Sequence, residues 1–366
     1  MELYDVSGRV EEKLAILCQI NKIPMGGTME LLPLCNMNCS MCYIRQDPRE
    51  MAKIGRMLSL QEWLRIAEEA KEAGVVSLLL TGGEPLLYPD FKELYVALTD
   101  MGFVITINTN ATLIDESMAR FIAERPCRRL NITLYGKDDE TYDKLCKNPK
   151  GFTQVMHAVE LLQNYRIPFR FNCTITPENI DQLEDLISIA NERNTPIVVN
   201  SHVFSPIRKE AQQFRRISPE ENAQVQINQY RLQHQGFDLQ MVAWNTLRQM
   251  ERPNRSCTSE ALGCRAGLCG FWMTWNGDLL PCGMFDKPKI SLLDHTFQES
   301  WEYIVAEVAK LHMYEGCYSC DKRNICSVCA AICLTENGGD MTKKPEYTCR
   351  CTEHYYHLLK EMEKNK

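Results

Sequence analysis

Short apolar segments alternate with longer amphipathic segments from residue 27 to residue 215. The apolar segments are typical of buried strands and the amphipathic ones of helices, so their alternation predicts an α/β fold with a parallel sheet and crossover helices. Six such units are too few for a full eight-stranded barrel. After a first strand within Met29–Leu34, the predicted strands are Val75–Thr81, Phe103–Asn108, Arg129–Tyr135, Phe169–Ile175 and Pro196–Val203, and the predicted helices are Ser59–Lys71, Asp90–Met101, Asp115–Glu124, Phe152–Tyr165 and Asn179–Arg193.

Three cysteines follow the first predicted strand. Cys35, Cys39 and Cys42 lie in the run CNMNCSMCY, with the spacing C-x3-C-x2-C. Three thiolates can hold three irons of a [4Fe–4S] cube and leave the fourth iron free to bind a small molecule. The alternative is a structural zinc site, which needs four nitrogen or sulfur ligands. Cys18 lies too far upstream to be the fourth ligand, and the next cysteine is Cys127.

A second motif ends the strand Val75–Thr81. The run LLLTGGEPLL places Gly82, Gly83, Glu84 and Pro85 directly after that strand. Glycines allow a ligand to approach the backbone closely. A carboxylate beside them can receive an ammonium group.

Together, CNMNCSMCY and TGGEPLL resemble the motifs of radical S-adenosylmethionine (SAM) enzymes. The resemblance implies a partial (β/α)6 TIM-type barrel that is open on one side for a large substrate. It also implies that the three-cysteine cluster reductively cleaves SAM into methionine and a 5′-deoxyadenosyl radical. In that family the GGE segment holds the methionine amino group. Ligands are then expected at the carboxyl ends of the strands.

Two further strand ends resemble segments of the same family. TINTNATLID is similar to the family's TNGTLI segment and contains Asn110, with Ala111 in place of the usual glycine. In ITLYG, the resemblance implies that Thr133 contacts SAM, and it implies that Tyr43 packs beside the adenine, mainly through backbone contacts. The simpler interpretations are a turn residue for Asn110 and an ordinary strand residue for Thr133. Cys146, beyond ITLYG, is a candidate catalytic cysteine, or else a buried apolar thiol; no other catalytic residue is indicated.

Eleven cysteines lie between Cys257 and Cys351, and their spacing resembles the SPASM extension of radical SAM enzymes. That resemblance implies two auxiliary [4Fe–4S] clusters, and therefore three clusters in all. One departure is that two residues, not three, separate Cys326 from the next cysteine. The implied ligands are Cys264, Cys269, Cys282 and Cys329 for the first auxiliary cluster, and Cys317, Cys320, Cys326 and Cys349 for the second, with Cys333 able to replace Cys329 and Cys351 able to replace Cys349.

The same region has a zinc alternative, because Cys317, Cys320, Cys326 and Cys329 have the spacing of a zinc ribbon. Within it, Phe271, Met273 and Trp275 alternate as in a strand, and Asn276-Gly277 predicts a hairpin turn. The expected organisation is an extension over 1–26, the barrel over 27–215, a helical linker over 216–256, the SPASM domain over 257–351 and a surface helix over 352–366.

Composition limits the other functions. The 366 residues have a net charge of −7, which gives no electrostatic reason to expect nucleic-acid binding. No apolar stretch approaches the length of a membrane span, and the first residues lack the pattern of a signal peptide. Eighteen cysteines without an export signal favour metal ligation in a reducing cytoplasm. A cytoplasmic protein with no membrane partner is therefore expected.

The resemblance extends to one class of substrate. Segments from GGTMELLPLCNMNCSMCYI to ITLYGKDDETYDKL are similar to maturases of ribosomally made peptides. This implies a peptide substrate that receives a thioether or carbon–carbon cross-link, and an electron donor such as flavodoxin or ferredoxin. Many such maturases begin with a leader-binding domain, whereas about 25 residues precede the barrel here. Leader recognition would then need a separate leader-binding protein, or would not occur.

Three other functions remain open at this point. An anaerobic sulfatase-maturating enzyme oxidises a serine or cysteine, but that family places an aspartate directly after the cysteine that corresponds to Cys282. Here that position is Gly283, which counts against this function. A small-molecule oxidase, similar to aminoglycoside or haem-pathway enzymes, is the next alternative. An iron–sulfur electron carrier or a zinc scaffold would not need Gly82–Glu84 beside an open cluster.

Overall fold

A computed structural model describes residues 3–208, 215–234, 238–250 and 261–364, without the side chains of 3–9. The predicted alternation of strands and helices is confirmed across the barrel region. The helices are α1 (Leu3–Asn21), α2 (Pro48–Ile54), α3 (Leu60–Glu72), α4 (Phe91–Asp100), α5 (Glu116–Glu124), α6 (Asp139–Cys146), α7 (Gly151–Asn164), α8 (Leu183–Glu192), α9 (Pro219–Gln233), α10 (Leu239–Met250), α11 (Phe297–Val308), α12 (Ala330–Glu336) and α13 (Glu346–Lys364). The strands are β1 (Gly26–Glu30), β2 (Ser77–Thr81), β3 (Val104–Thr109), β4 (Arg129–Thr133), β5 (Phe169–Thr174), β6 (Ile197–Asn200), β7 (Gly270–Met273), β8 (Asp278–Leu280) and β9 (Ile290–Ser291).

The strands form one sheet in the described residues, in the order β6-β5-β4-β3-β2-β1-β7-β8-β9. Every pairing from β6 to β7 is parallel. Because β1 pairs with β2 and β7 and not with β6, the six βα units curve into an incomplete barrel. The predicted fold, a partial (β/α)6 barrel followed by a cysteine-rich region, is confirmed. Within the described residues, no helix is both long enough and apolar enough to cross a membrane.

Helix α3 shows how local sequence sets these boundaries. Ser59 accepts a hydrogen bond from the Glu62 backbone, and the Glu62 side chain accepts one from the Ser59 backbone, as in a capping box. The helix buries Trp63 and Ile66. Gly74 follows its end with φ = +103°, a conformation that other residues adopt only with strain. The predicted start and end of this helix are confirmed within a residue or two.

Side chains alternate between the two faces of the barrel strands. Leu80, Ile107, Ile132 and Phe171 are fully buried against the surrounding helices. The alternate positions face the barrel interior, and on β3 to β5 they are mostly polar: Thr106, Asn108, Arg129, Asn131, Thr133, Arg170, Asn172 and Thr174. A closed barrel fills its interior with packed apolar side chains. The polar interior of this open barrel is therefore suited to a ligand.

Three boundaries differ from the sequence-based expectation. The first strand ends at Glu30, because the chain beyond it runs beside Gly82 and Gly83. The last helix begins at Glu346, six residues earlier than expected, so Cys349 and Cys351 lie on the helix and not before it. In the hairpin, β7 ends at Met273, so Trp275 belongs to the turn that closes with Gly277 at φ = +93°. Strand β7 joins the barrel sheet beside β1, and this brings the cysteine-rich region against the barrel.

Candidate active site

The three cysteines of the first motif lie on the loop that follows β1, at the carboxyl edge of the sheet. The end of α6 supports this loop: the backbone amides of Asn38 and Ser40 donate to the carbonyls of Cys146 and Leu145, at 2.8 and 3.0 Å. All three cysteines are half-buried. The loop therefore presents three sulfurs from one short, supported segment, as predicted for a cluster with one open iron.

The surroundings of these sulfurs suit thiolate ligands. Backbone amides donate to two of them, Met37 to Cys35 at 3.4 Å and Arg45 to Cys42 at 3.2 Å. Burial raises the pKa of Cys35 to about 12, with smaller contributions from Glu84, Cys39 and Cys42. Such crowded thiols lose their protons when metal binds. The donor set, thiolates with amide hydrogen bonds, fits an iron–sulfur cluster.

Asn110 connects the end of β3 to the cysteine loop. Its side-chain nitrogen donates to Asn36 at 2.8 Å and to the Cys35 sulfur at 3.7 Å, and its side-chain oxygen accepts from Thr112. Ala111, which follows it, has φ = +63°. This left-handed conformation favours glycine, which explains the glycine that related sequences carry there. Asn110 thus acts both as a turn residue and as a neighbour of Cys35, a predicted cluster ligand.

Gly82 and Gly83 are needed because another part of the chain runs against them. A Cβ atom at Gly82 would lie 2.3 Å from the Leu32 carbonyl oxygen, and one at Gly83 would lie 2.2 Å from that of Leu34. The amide of Gly83 donates to Leu32 at 2.8 Å, and that of Glu84 to Leu34 at 2.9 Å. The glycines therefore allow close approach of the chain's own backbone, in addition to any role they have toward SAM.

Glu84 is fully buried, and the protein itself binds both of its oxygens. It accepts hydrogen bonds from the Leu86 amide, the Thr109 hydroxyl and the Asn110 amide, at 3.1, 2.8 and 2.8 Å. Burial raises the pKa of Glu84 to about 7, although these bonds oppose the shift. A carboxylate has about four acceptor positions, so one remains for an ammonium group. Pro85 begins the short turn Pro85–Leu87 and is buried.

Thr133, at the end of β4, has a free hydroxyl. Its Oγ1 is buried and has no hydrogen-bond partner among the described residues. Its backbone carbonyl accepts a hydrogen bond from the Tyr142 hydroxyl at 3.1 Å, which fixes this strand end. Buried hydroxyls usually have a partner. An unpaired hydroxyl at this edge is what the predicted SAM contact requires.

A buried ionic network links the cysteine loop to the cysteine-rich region. Arg208 binds both carboxylate oxygens of Glu30, at 2.7 and 3.3 Å, and the Trp272 indole donates to the same carboxylate at 2.6 Å. Arg208 also donates to the Gly283 carbonyl at 3.2 Å. Tyr43 lies beside this network: burial raises its pKa, and Arg208 opposes the shift. The sequence offered no indication of this network, because its members are far apart along the chain.

Cys146 lies behind the cysteine loop. It is fully buried, and a hydrogen bond with it, more than burial, raises the pKa of Cys39. Its backbone carbonyl also supports the loop through Asn38. This position favours a structural role in holding Cys39 over the predicted candidacy as a catalytic cysteine.

Some of the predicted ligands of the first auxiliary cluster lie near one another. Burial raises the pKa of Cys282 to about 11, and Cys264 and Cys329 add to the shift. Cys269 is buried, and the thiols that act on its pKa, after burial and Arg265, are Cys18 and Cys264. The structure thus brings Cys264, Cys282 and Cys329 together and places Cys269 on the side of α1. Cys257 lies outside the described residues.

The predicted ligands of the second auxiliary cluster also gather. Burial raises the pKa of Cys349 to about 11, and Cys317, Cys326 and Cys320 act on it as neighbouring thiols. Burial, Tyr347, Glu336 and Arg216 act on the pKa of Cys351, two residues farther along the helix, and Cys326 adds to the shift. Cys349 thus has more thiol neighbours than Cys351, which favours Cys349. Cys333 forms a hydrogen bond with Cys317 and also lies near Cys329, so it stands between the two groups.

The zinc alternative is not supported by this geometry. Among the described residues, no three His, Cys, Asp or Glu side chains converge on the position of one metal ion. A zinc ribbon needs four sulfurs about 2.3 Å from the same ion. A four-iron cube spaces its cysteines more widely, because each thiolate binds a different iron.

Known proteins similar to this chain agree with the fold and the loop. Residues 29–190 match the model of the radical SAM superfamily. An AdoMet-dependent heme synthase of Methanosarcina barkeri is 25% identical over 336 residues, covering 86% of this chain and 94% of that protein. The sporulation killing factor maturation protein SkfB of Bacillus subtilis is 24% identical over 335 residues, covering 90% of this chain and 73% of that protein.

Two solved structures are similar over almost the whole chain. The AdoMet-bound structure of anSMEcpe has a TM-score of 0.70 at 19% identity, covering 94% of this chain and 96% of that one. SuiB of Streptococcus suis, bound to its precursor peptide SuiA, has a TM-score of 0.67 at 20% identity, covering 95% and 80%. Fold, cysteine loop and sequence match agree, and residues 29–190 are therefore a domain of the radical SAM superfamily.

Proposed function

We propose that this chain is a radical SAM enzyme that oxidatively modifies a peptide, forming a thioether or carbon–carbon cross-link. The observation that carries the proposal is the open barrel, whose polar interior lies below the loop of Cys35, Cys39 and Cys42. An iron–sulfur electron carrier would not need an interior that opens on one side to a large substrate. SkfB is named as a maturation protein of a killing factor, and SuiB has been solved with its precursor peptide, which supports a peptide substrate.

The residues of the site have separate roles in this proposal. Cys35, Cys39 and Cys42 hold the cluster, and Gly82–Pro85, Asn110, Thr133 and Tyr43 hold SAM. When bound, cluster and SAM together supply a carbon-centred radical that removes a hydrogen atom from an unactivated carbon. The protein must place that carbon close to the radical and exclude water, because the radical is unselective. Three chain segments close the site around the Glu30–Arg208 pair. They are β1, β7 and the segment that follows β6.

The cysteine-rich region completes the proposal. Cys264, Cys269, Cys282 and Cys329 hold one auxiliary cluster, and Cys317, Cys320, Cys326 and Cys349 hold a second. Such clusters accept the electron that an oxidative cross-link releases. The division into barrel, linker and SPASM domain, a separate leader-binding protein, and a flavodoxin or ferredoxin as electron donor belong to the same proposal.

Sulfatase-type maturation is less well supported, for a steric reason. A Cβ atom at Gly283 would lie 2.8 Å from the Trp272 ring, so no aspartate fits there while Trp272 donates to Glu30. The chain therefore lacks a base at the position where that family has one. A second candidate is the oxidation of a small molecule, which the similarity to the heme synthase favours.

The test is anaerobic turnover with peptides encoded beside the gene. Reconstituted protein, reductant, SAM and each peptide are incubated, and 5′-deoxyadenosine and peptide mass are measured. We expect 5′-deoxyadenosine together with the loss of two hydrogen atoms from one peptide. The Cys35/Cys39/Cys42→Ala variant is the control and should produce neither.

Two results would contradict the proposal. If wild type forms no 5′-deoxyadenosine under any condition, the chain is an electron carrier. If a small molecule and not a peptide accelerates its formation, the second candidate replaces the first.

A further inference from the structure

Two arginines face the barrel interior at a depth where no predicted SAM contact lies. Arg129 is the first residue of β4, and Arg170, the second residue of β5, lies opposite Asn131. The predicted SAM contact Thr133 is the last residue of β4, about 13 Å farther along the strand at about 3.3 Å per residue. The arginines therefore lie near the amino-terminal ends of β4 and β5, on the side away from the SAM edge, and both are half-buried.

Their side chains have polar neighbours, and one carboxylate, that of Glu11, acts on the pKa of Arg129. Arg129 donates to the Asn131 oxygen at 3.2 Å, and Asn131 donates to Asn108 at 2.7 Å. The Nε of Arg170 is buried without a hydrogen-bond partner in the part of the chain described. Among the described ion pairs, none includes Arg129 or Arg170; by contrast, Arg128 is paired with Glu11 at 2.7 Å.

The two cations repel one another. The pKa of Arg129 is lowered, first by burial and then by the charges of Arg170 and Arg128. Arginine stays protonated in proteins, so this repulsion is not relieved by loss of a proton. Glu11 opposes this shift, but its carboxylate is bound by Arg128 at 2.7 Å. Glu30 is bound by Arg208, and Glu84 by backbone amides and the Thr109 hydroxyl.

A cavity of about 560 Å³ opens beside Arg129, with Thr28, Leu79 and Thr106 on its barrel wall. Cys269 and Cys282 line its other side, so an auxiliary cluster would share this space. However, the cations that act on the pKa values of Cys269 and Cys282 are Arg265 and Arg208. Arg129 lines the cavity, together with Glu11, Arg128 and Arg265. Arg170 is not a lining residue but lies beside Arg129 on the neighbouring strand, opposite Asn131, so the two arginines are placed to bind another anion.

We propose that Arg129 and Arg170 form a subsite in the barrel interior that binds a carboxylate of the substrate. A guanidinium group binds a carboxylate through two parallel hydrogen bonds, and an ion pair of this kind relieves the repulsion between the arginines. This inference rests in part on the proposed function. It predicts that the substrate carries an acidic group at a fixed distance from the reacting carbon. An acidic peptide side chain and a small carboxylic acid share this chemistry.

Glutarate is the probe, because binding can be measured without turnover. Thermal stabilisation of the reconstituted full chain is followed against glutarate concentration, at constant ionic strength, with the neutral glutaramide as a control ligand. We expect stabilisation by glutarate alone. Arg170→Met and Arg129→Met should each weaken it by about tenfold or more, equivalent to about 1.4 kcal/mol, and Arg170→Lys should weaken it less. Lys310→Met removes an exposed positive charge just after α11 and should leave the stabilisation unchanged.

Three outcomes overturn the subsite. In the first, glutarate does not stabilise wild type. In the second, it stabilises wild type and folded Arg170→Met protein equally. In the third, glutarate binds only to iron-free protein, which would assign the cavity to the cluster.

Two peptides that differ by one Glu→Gln change then distinguish the two sources of the carboxylate. Tighter binding of the Glu peptide than of glutarate indicates a peptide carboxylate, and equal binding indicates a small acid. Glutarate binding without any peptide product would refute the peptide function and leave the subsite standing.

Discussion

At the scale of single residues, Glu84 is the clearest case of a side chain with two functions. It ties the Gly82–Glu84 segment to β3 and, in the proposed function, also receives the SAM amino group. Its pKa of about 7 in the folded protein lies above the ordinary value of 4.5, chiefly because of burial. The folded state therefore binds a proton more tightly than the unfolded state, and this contribution to stability is lost as the pH rises from about 4.5 through 7.

Replacing Glu84 by Gln tests that shift. We expect the stability of wild type, relative to Glu84→Gln, to fall by about 1 kcal/mol between pH 6 and pH 8. Thermal unfolding of both proteins at the two pH values measures the difference. Parallel pH dependences for the two proteins would show that Glu84 does not titrate in this window.

The residue scale also shows what a sequence pattern leaves open. The positions of Cys35, Cys39 and Cys42 on one loop followed from their spacing. The sequence also predicted that Gly82 and Gly83 are needed, but it did not predict the physical reason. A ligand was expected against these glycines, whereas the backbone of Leu32 and Leu34 already occupies one side of them. Contacts between distant segments are set by the fold and leave no local trace.

At the scale of elements, the strands and helices with strong periodicity were predicted within a few residues. Helix α6 was missed because it is short, and its importance lies in its carbonyls, which hold the cysteine loop. The early start of α13 was missed because Cys349 and Cys351 look like loop ligands. Sequence periodicity reports which face of an element is buried, and it does not report an element whose buried face consists of cysteines.

The Glu30–Arg208 pair joins three elements and should be worth much more than an exposed pair. Glu30 is 1% exposed and the Arg208 side chain 14%. Breaking a buried pair leaves an unpaired charge and costs about 3–5 kcal/mol. We therefore expect Arg208→Met to lower the free energy of unfolding by about 3 kcal/mol, and Glu30→Leu/Arg208→Met to recover most of this loss.

The exposed pair Arg128–Glu11 provides a matched control for thermal unfolding of these variants. Its side chains are 42% and 53% exposed. Arg128→Met should therefore cost less than about 1 kcal/mol. If Arg208→Met costs no more than this control, the buried network does not hold β1, β7 and the segment after β6 together.

At the scale of the whole molecule, the two groups of C-terminal cysteines lie in separate places. Cys264, Cys282 and Cys329 influence one another near the barrel, and Cys317, Cys320, Cys326 and Cys349 do so near α13. This separation is what two further clusters would require. Spacing alone suggested the grouping through a family resemblance, and the arrangement in space supports it independently.

Iron and sulfide counts after anaerobic reconstitution test this arrangement. Three four-iron cubes predict about twelve irons in wild type. Cys35/Cys39/Cys42→Ala should contain about eight and lose SAM cleavage, because its auxiliary sites are untouched. Cys317/Cys320/Cys326→Ala should also contain about eight but keep the cluster that binds SAM. About four irons with bound zinc in wild type would instead mean that the C-terminal cysteines are structural, and the oxidation of a small molecule would then be the better supported function.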